Sequence, residues 1–215
     1  IVDNRVYIGS NDGNIYALDA SDGSLLWKFE TGGHVVSSPC IFNGKVYIGS
    51  YDYKIYALDA YSGFIMWEYT TGGTVSSSPA IADGVIYVGS DDDKLYALDS
   101  EEGKLIWEYV TEGEVASAPI VADETVFFGS CDNKVYALNA KTGDLKWSYT
   151  TDDQVVSSPA IANGIVYVGS YDHMVYAFGS LPEEQNSSEP INFPVEAAII
   201  IGVIALAFTG TTIIL

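Results

Sequence analysis

Positive charge is scarce in this chain: nine Lys and Arg stand against 29 Asp and Glu in 215 residues, for a formal charge of −20. Such a molecule repels polyphosphate, which excludes nucleic acid as a partner and makes anionic lipid head groups little better. Proteins and neutral or cationic ligands remain. Cysteine is scarce too. Cys40 and Cys131 are too few for a disulfide framework and lack the CxxC spacing of a zinc site or a thiol oxidoreductase. The two histidines, His34 and His173, stand alone in their loops without a second ligand at metal spacing. Neither a G-x-S-x-G elbow nor a phosphate-binding glycine loop occurs. No long apolar run appears before residue 197, and the chain opens on Ile1 rather than Met, as a fragment or a processed form does.

What is present is a repeat of 40 residues. Trp27, Trp67, Trp107 and Trp147 keep that spacing, as do Gly9, Gly49, Gly89, Gly129 and Gly169, and Pro39, Pro79, Pro119 and Pro159. Within the unit from Val35 to Thr74, four segments are rich in β-branched and aromatic residues: 35–42, 46–49, 55–59 and 65–69. They read as strands A to D, separated by turn residues such as Asn43-Gly44 and Tyr61-Ser62-Gly63. Four antiparallel strands per repeat without helices predict an all-β fold, a β-propeller of four-stranded 40-residue blades that bury their faces by stacking.

The stretch Ala57-Leu58-Asp59-Ala60-Tyr61-Ser62-Gly63-Phe64-Ile65-Met66-Trp67 resembles the tryptophan-docking pattern of the pyrroloquinoline-quinone-like (PQQ-like) repeat, A-x-D-x-x-T-G-x-x-x-W. The segments from Ala17, Ala97 and Ala137 fit likewise, with Asn139 in the Asp place and Asp22 and Glu102 in the Thr place. The resemblance covers residues 1–180, about 4.5 blades. It implies that Trp27, Trp67, Trp107 and Trp147 wedge between neighbouring blades, with Gly23, Gly63, Gly103 and Gly143 shaping the docking turns. Gly89 becomes equally critical if the strand-B phase faces the indole. Closed relatives commonly have seven or eight blades, so the resemblance implies further N-terminal blades, and 4.5 blades alone leave open strand edges. Enzymes of the family carry cofactor through an adjacent Cys pair, a Ca²⁺ site and a catalytic Asp, and this sequence matches none of them.

The composition changes after Ser180. Residues 181–196 are acidic and Pro-containing and read as a solvated stalk, with Asn186-Ser187-Ser188 as a glycosylation acceptor. Residues 197–215 carry no charge, and as a helix they reach about the 30 Å of a bilayer core. They are expected to form one C-terminal transmembrane helix or a sorting tail. A truncated terminus, a cleaved sorting signal and a lipid-anchor signal all fit this pattern. The acidic blades and stalk, with no basic cluster beside the span, place the propeller on the extracellular side.

Comparison among the copies supplies the candidate binding site. Antiparallel strands put the B–C and D–A loops on one face of the disc. There the copies diverge, and Tyr51, Tyr53, Asp91, Asp93, Tyr171 and His173 form a candidate partner-binding face for a protein or a neutral or cationic ligand. Loop drift is the plain alternative. Asp91-Asp92-Asp93 also concentrates charge, but not at EF-hand spacing. No catalytic, cofactor or metal residue is assigned. The expected function is a non-catalytic, surface-exposed, membrane-tethered platform for binding or assembly. Its alternatives are part of a PQQ-dependent dehydrogenase whose catalytic blades lie elsewhere, or the sensor ectodomain of a signalling protein.

Overall fold

A computed structural model describes residues 2–179 and the backbone of residues 200–205. Nineteen strands form five antiparallel sheets among these residues. The first holds β1 (Arg5–Gly9), β2 (Asn14–Asp19) and β3 (Leu25–Glu30), and the second holds β4 (Cys40–Phe42), β5 (Lys45–Ser50), β6 (Lys54–Asp59) and β7 (Ile65–Thr70). In the third are β8 (Ala80–Ala82), β9 (Val85–Ser90), β10 (Lys94–Asp99) and β11 (Leu105–Val110). The fourth comprises β12 (Ile120–Ala122), β13 (Thr125–Gly129), β14 (Lys134–Asn139) and β15 (Leu145–Thr150). The last comprises β16 (Ala160–Ala162), β17 (Ile165–Gly169), β18 (Met174–Phe178) and β19 (Ile200–Ala205).

Each sheet follows chain order, so sheet formation is local and the repeat is the folding unit. The core lies between sheets. Tyr7, Ile15 and Trp27 of the first pack with Val46, Ile48, Tyr56 and Leu58 of the second, and equivalent clusters join the later pairs. The A–B hairpins turn on two consecutive left-handed residues, such as Asn43 (φ 47°) and Gly44 (φ 71°), whose twist suits adjacent strands.

Two expectations are corrected here. Strand A is shorter than 35–42: only Cys40–Phe42 is strand, because Pro39 has no N–H to give to a ladder. The Ser37 hydroxyl takes over farther out, accepting the Gly49 N–H at 3.2 Å. The second correction concerns the expected helix over 197–215. Ile200–Ala205 is instead a strand antiparallel to β18, with the same one-residue irregularity that β15 shows against β14. The open edge of β18 needs a hydrogen-bonding partner, and β-branched residues in this segment suit one. Among the described residues no helix is long and apolar enough to cross a membrane. The remainder of 197–215, the stalk over 181–196 and Asn186 lie outside the described residues.

Candidate functional site

Between sheets, the tryptophans dock forward onto the next sheet. The indole N–H of Trp27 donates to Ala60 O, that of Trp67 to Ser100 O and that of Trp107 to Ala140 O, each at 3.0 Å. Each carbonyl also accepts a Tyr hydroxyl, from Tyr7, Tyr47 and Tyr87 respectively, at 2.9 to 3.1 Å. The indole faces lie on Gly63, Gly103 and Gly143, where a Cβ would come within 2.5 to 2.8 Å of ring atoms. Gly23 differs, with nothing within 4 Å of its Cβ position. Trp147 packs against Phe127 and Phe178, with ring centroids 5.9 and 5.1 Å away. The docking Asp holds the same turn together: Asp59 Oδ1 accepts the N–H groups of Tyr61 and Ser62 at 3.1 and 2.7 Å. The Ser62 hydroxyl and these amides hold the Asp59 carboxyl below its ordinary range.

Strand-B glycines do not face the indole. At Gly89 a Cβ would meet Val115 O at 2.1 Å, so this glycine lets the next strand-A segment approach. Gly49 and Gly129 meet Val75 and Val155 in the same way.

The B–C and D–A loops are brought together across sheet boundaries. Asp52 Oδ2 accepts the Tyr56 hydroxyl at 2.7 Å within its own sheet and the Gly32 N–H at 2.6 Å from the preceding one. Asp92 repeats this with Tyr96 (2.5 Å) and Gly72 (2.7 Å), and Asp132 with Tyr136 (2.5 Å) and Glu112 (3.1 Å). In the last sheet, Asp172 holds Tyr176 at 2.7 Å and Asp152 N–H at 3.1 Å. The latch joins residues 20 apart on different sheets, a relation that repeat spacing within one sequence does not reveal. Burial, and then the carboxylate, push the Tyr56, Tyr96, Tyr136 and Tyr176 hydroxyls well above the ordinary phenol range.

On this latch sit the divergent residues. Tyr51 and Tyr53 are exposed, as are Tyr171 and His173. The first pair belongs to the second sheet and the other to the last, so the six predicted residues spread along one face rather than converging on one pocket. Tyr53 and His173 both have φ of 70°, at the position filled elsewhere by Gly13, Asp93 and Asn133. Glycine, Asp, Asn and His adopt this left-handed backbone readily, whereas a bulky residue such as Tyr53 there costs about 1–2 kcal/mol. His34, unassigned by sequence, joins the face: its ring meets Tyr51 edge-on at 6.1 Å, and its carbonyl accepts the Tyr51 N–H at 2.9 Å.

The three adjacent carboxylates of the third sheet diverge. Asp91 accepts the hydroxyls of Thr74 and Ser76, Asp92 serves the latch, and Asp93 offers its carbonyl to Thr111. Among the described residues no three His, Cys, Asp or Glu side chains gather where they could hold a metal ion. Cys40 and Cys131 are both free and half-buried; burial raises both thiols, with Glu114 and Asp91 adding to the effect at Cys131.

Solved structures share this architecture. BamB from Moraxella catarrhalis superposes with a TM-score of 0.75 at 20% identity, over 83% of this chain and 59% of that one. The computationally designed Ika8 protein gives 0.75 at 20% identity, over 83% and 56%. The quinohemoprotein alcohol dehydrogenase ADHIIG from Pseudomonas putida HK5 gives 0.71 at 19% identity, over 83% and 39%. The chain thus spans little more than half, or less, of each solved chain. A single 39-residue stretch, 18% of this chain, is 54% identical to 3% of the beta-alanine-activating enzyme of Danio rerio. The family model described as outer membrane protein assembly factor BamB matches residues 1–80 and 67–178, and the chain belongs to that family of PQQ-type, propeller-forming repeats.

Proposed function

We propose that the chain is a non-catalytic binding platform whose partner docks on the face built by the B–C and D–A loops. The observation that carries this reading is Tyr53 at φ of 70°, where three sister copies have Gly, Asp or Asn. Backbone strain under an exposed aromatic ring persists when the ring has a use, and exposed Tyr supplies contact area at small entropic cost. The charge of −20 selects a cationic or neutral protein surface as partner. Membership in a family described as an assembly factor supports the same reading. Exposure of the face on the extracellular side, beside a membrane, belongs to this proposal.

Site-specific photo-crosslinking in the native cell tests it. A crosslinker at position 51, 53, 171 or 173 is expected to capture one discrete partner, and one at position 22 or 142 in the C–D turns none. Equal capture from both faces, or no discrete adduct, contradicts the reading. The fold shared with ADHIIG supports a second reading, part of a quinoprotein dehydrogenase. Dye-linked alcohol oxidation by the protein purified from its native membrane, dependent on added quinone, would favour that reading over the platform.

A further inference from the structure

The C–D turn of the second sheet departs from its copies at two positions. Tyr61 and Phe64 stand there, 78% and 76% exposed. The corresponding positions hold Ser21 and Ser24 in the first sheet, Glu101 and Lys104 in the third, and Lys141 and Asp144 in the fourth. Repetition in every copy is the mark of a structural role, and these two rings lack it; neither belongs to the core clusters on either side of the sheet. They extend an aliphatic pair. Ile65 and Met66 follow directly and are exposed as well. Met66 is skipped in the ladder, since Ile65 stands opposite Leu58 and Trp67 opposite Ala57. An irregularity of this kind on an outer strand blunts edge pairing, so side chains rather than backbone present the surface.

The turn is held from both sides. Arg5 donates to Tyr61 O at 3.0 Å, and its guanidinium carbon stands 4.3 Å from the centre of the Tyr61 ring. Burial, with Asp3 and Asp59 adding to it, raises the Tyr7 hydroxyl, which donates to Ala60 O next to Tyr61 and so sets both carboxylates beside this turn. On the other flank Lys45, opposite Asp59 in the ladder, pairs with Glu101 of the third sheet. Both nearby cations are thus engaged, whereas Asp3 and Glu101 are exposed. An apolar patch framed by carboxylates repels anionic surfaces, and it repels a second copy of a chain whose charge is −20. It is complementary to an apolar ridge flanked by Lys and Arg.

We propose that Tyr61, Phe64, Ile65 and Met66 dock a cationic amphipathic segment of a partner protein, its apolar side chains on these four and its Lys and Arg toward Asp3 and Glu101. Aromatic residues and Met are the side chains that interface cores favour, and a ring already pinned by Arg5 loses little freedom on binding. The equivalent turns of the first and fourth sheets, polar at these positions, lie outside the surface. The turn sits at the opposite end of the strands from the B–C and D–A loops, so this surface stands or falls separately from the platform reading.

The probe is a synthetic amphipathic peptide, Leu-Lys-Lys-Leu-Leu-Lys-Leu written twice in succession, titrated into the full chain. Saturable one-to-one binding is expected, with amide resonances of residues 59–67 shifting and those of residues 51–53 unmoved. The double variant Tyr61→Ser, Phe64→Ser gives the second sheet the residues that the first carries as Ser21 and Ser24, so the fold is kept. Its binding should be at least tenfold weaker, as should that of a peptide with Ser in every Leu place and the same charge. Equal binding by the double variant means that charge alone attracts the peptide and overturns the proposal. Shifts concentrated at residues 51–53, or no binding at millimolar peptide, overturn it too. Attachment to phosphatidylcholine vesicles that is lost in the double variant would assign the patch to a bilayer, and a dimer that the double variant dissociates would assign it to a second copy; either result contradicts the proposal.

Discussion

The indole of Trp67 lies flat on Gly103, one sheet ahead in the chain, so closely that a Cβ at Gly103 would stand 2.5 Å from Cδ2. Its N–H reaches Ser100 O in the same turn at 3.0 Å. Gly103 also has φ of 69°. Gly103→Ala therefore meets both a ring and a left-handed backbone, and is expected to cost about 2 to 4 kcal/mol. Gly23→Ala, at a φ of 74° but with nothing within 4 Å, is expected to cost about 1 kcal/mol. Urea denaturation of the two variants checks the pair; equal losses would remove the docking account.

Trp107→Ala removes an indole packed between the third and fourth sheets and leaves Ala140 O with the Tyr87 hydroxyl alone. The expected loss is about 3 to 5 kcal/mol. A loss below about 1 kcal/mol, read from the same denaturation curves, contradicts the assignment.

The latch around Asp92 offers a coupled test. Asp92→Ala leaves the Tyr96 hydroxyl and the Gly72 N–H unpaired and should cost about 2 to 3 kcal/mol, while Tyr96→Phe should cost about 1 kcal/mol. Because both remove one shared bond, the double variant should lose less than the sum. Strict additivity would mean that the contact contributes nothing.

Alkaline pH should unfold the chain. Burial pushes Tyr47 and Tyr87 up to about 12, and Tyr56, Tyr96, Tyr136 and Tyr176 are raised as well. Their folded-state values exceed the unfolded value of about 10, so their contribution is complete below pH 10 and is lost as pH rises through 12. Absorbance at 295 nm should show a class of tyrosines that ionises only as the near-ultraviolet dichroism collapses. Full ionisation near pH 10 with the fold intact would contradict the burial.

Much of the fold was legible because the repeat overrides weak local signals: Trp27, Trp67, Trp107 and Trp147 fix the phase of the strands in the first four sheets. What escaped were relations across sheets. The Gly32–Asp52 bond joins residues 20 apart, and the left-handed backbone under Tyr53 leaves no trace in its side chain. Gly89 was legible as important, but its neighbour is Val115 rather than an indole, because the copies reveal which positions matter and not what they touch. The segment 200–205 misled for a plain reason. Uncharged, β-branched residues satisfy a bilayer and a sheet edge equally well, and only the open edge of β18 distinguishes the two.

The most direct measurement of the platform reading is Tyr53→Gly, scored twice on the full chain. Glycine fits φ of 70° without strain, so stability should stay level or rise by about 0.5 to 1 kcal/mol. Partner capture by a crosslinker at position 51 should fall at least tenfold in the same variant. Undiminished capture, or a large loss of stability in place of a gain, would contradict the claim that Tyr53 is held in strain for binding.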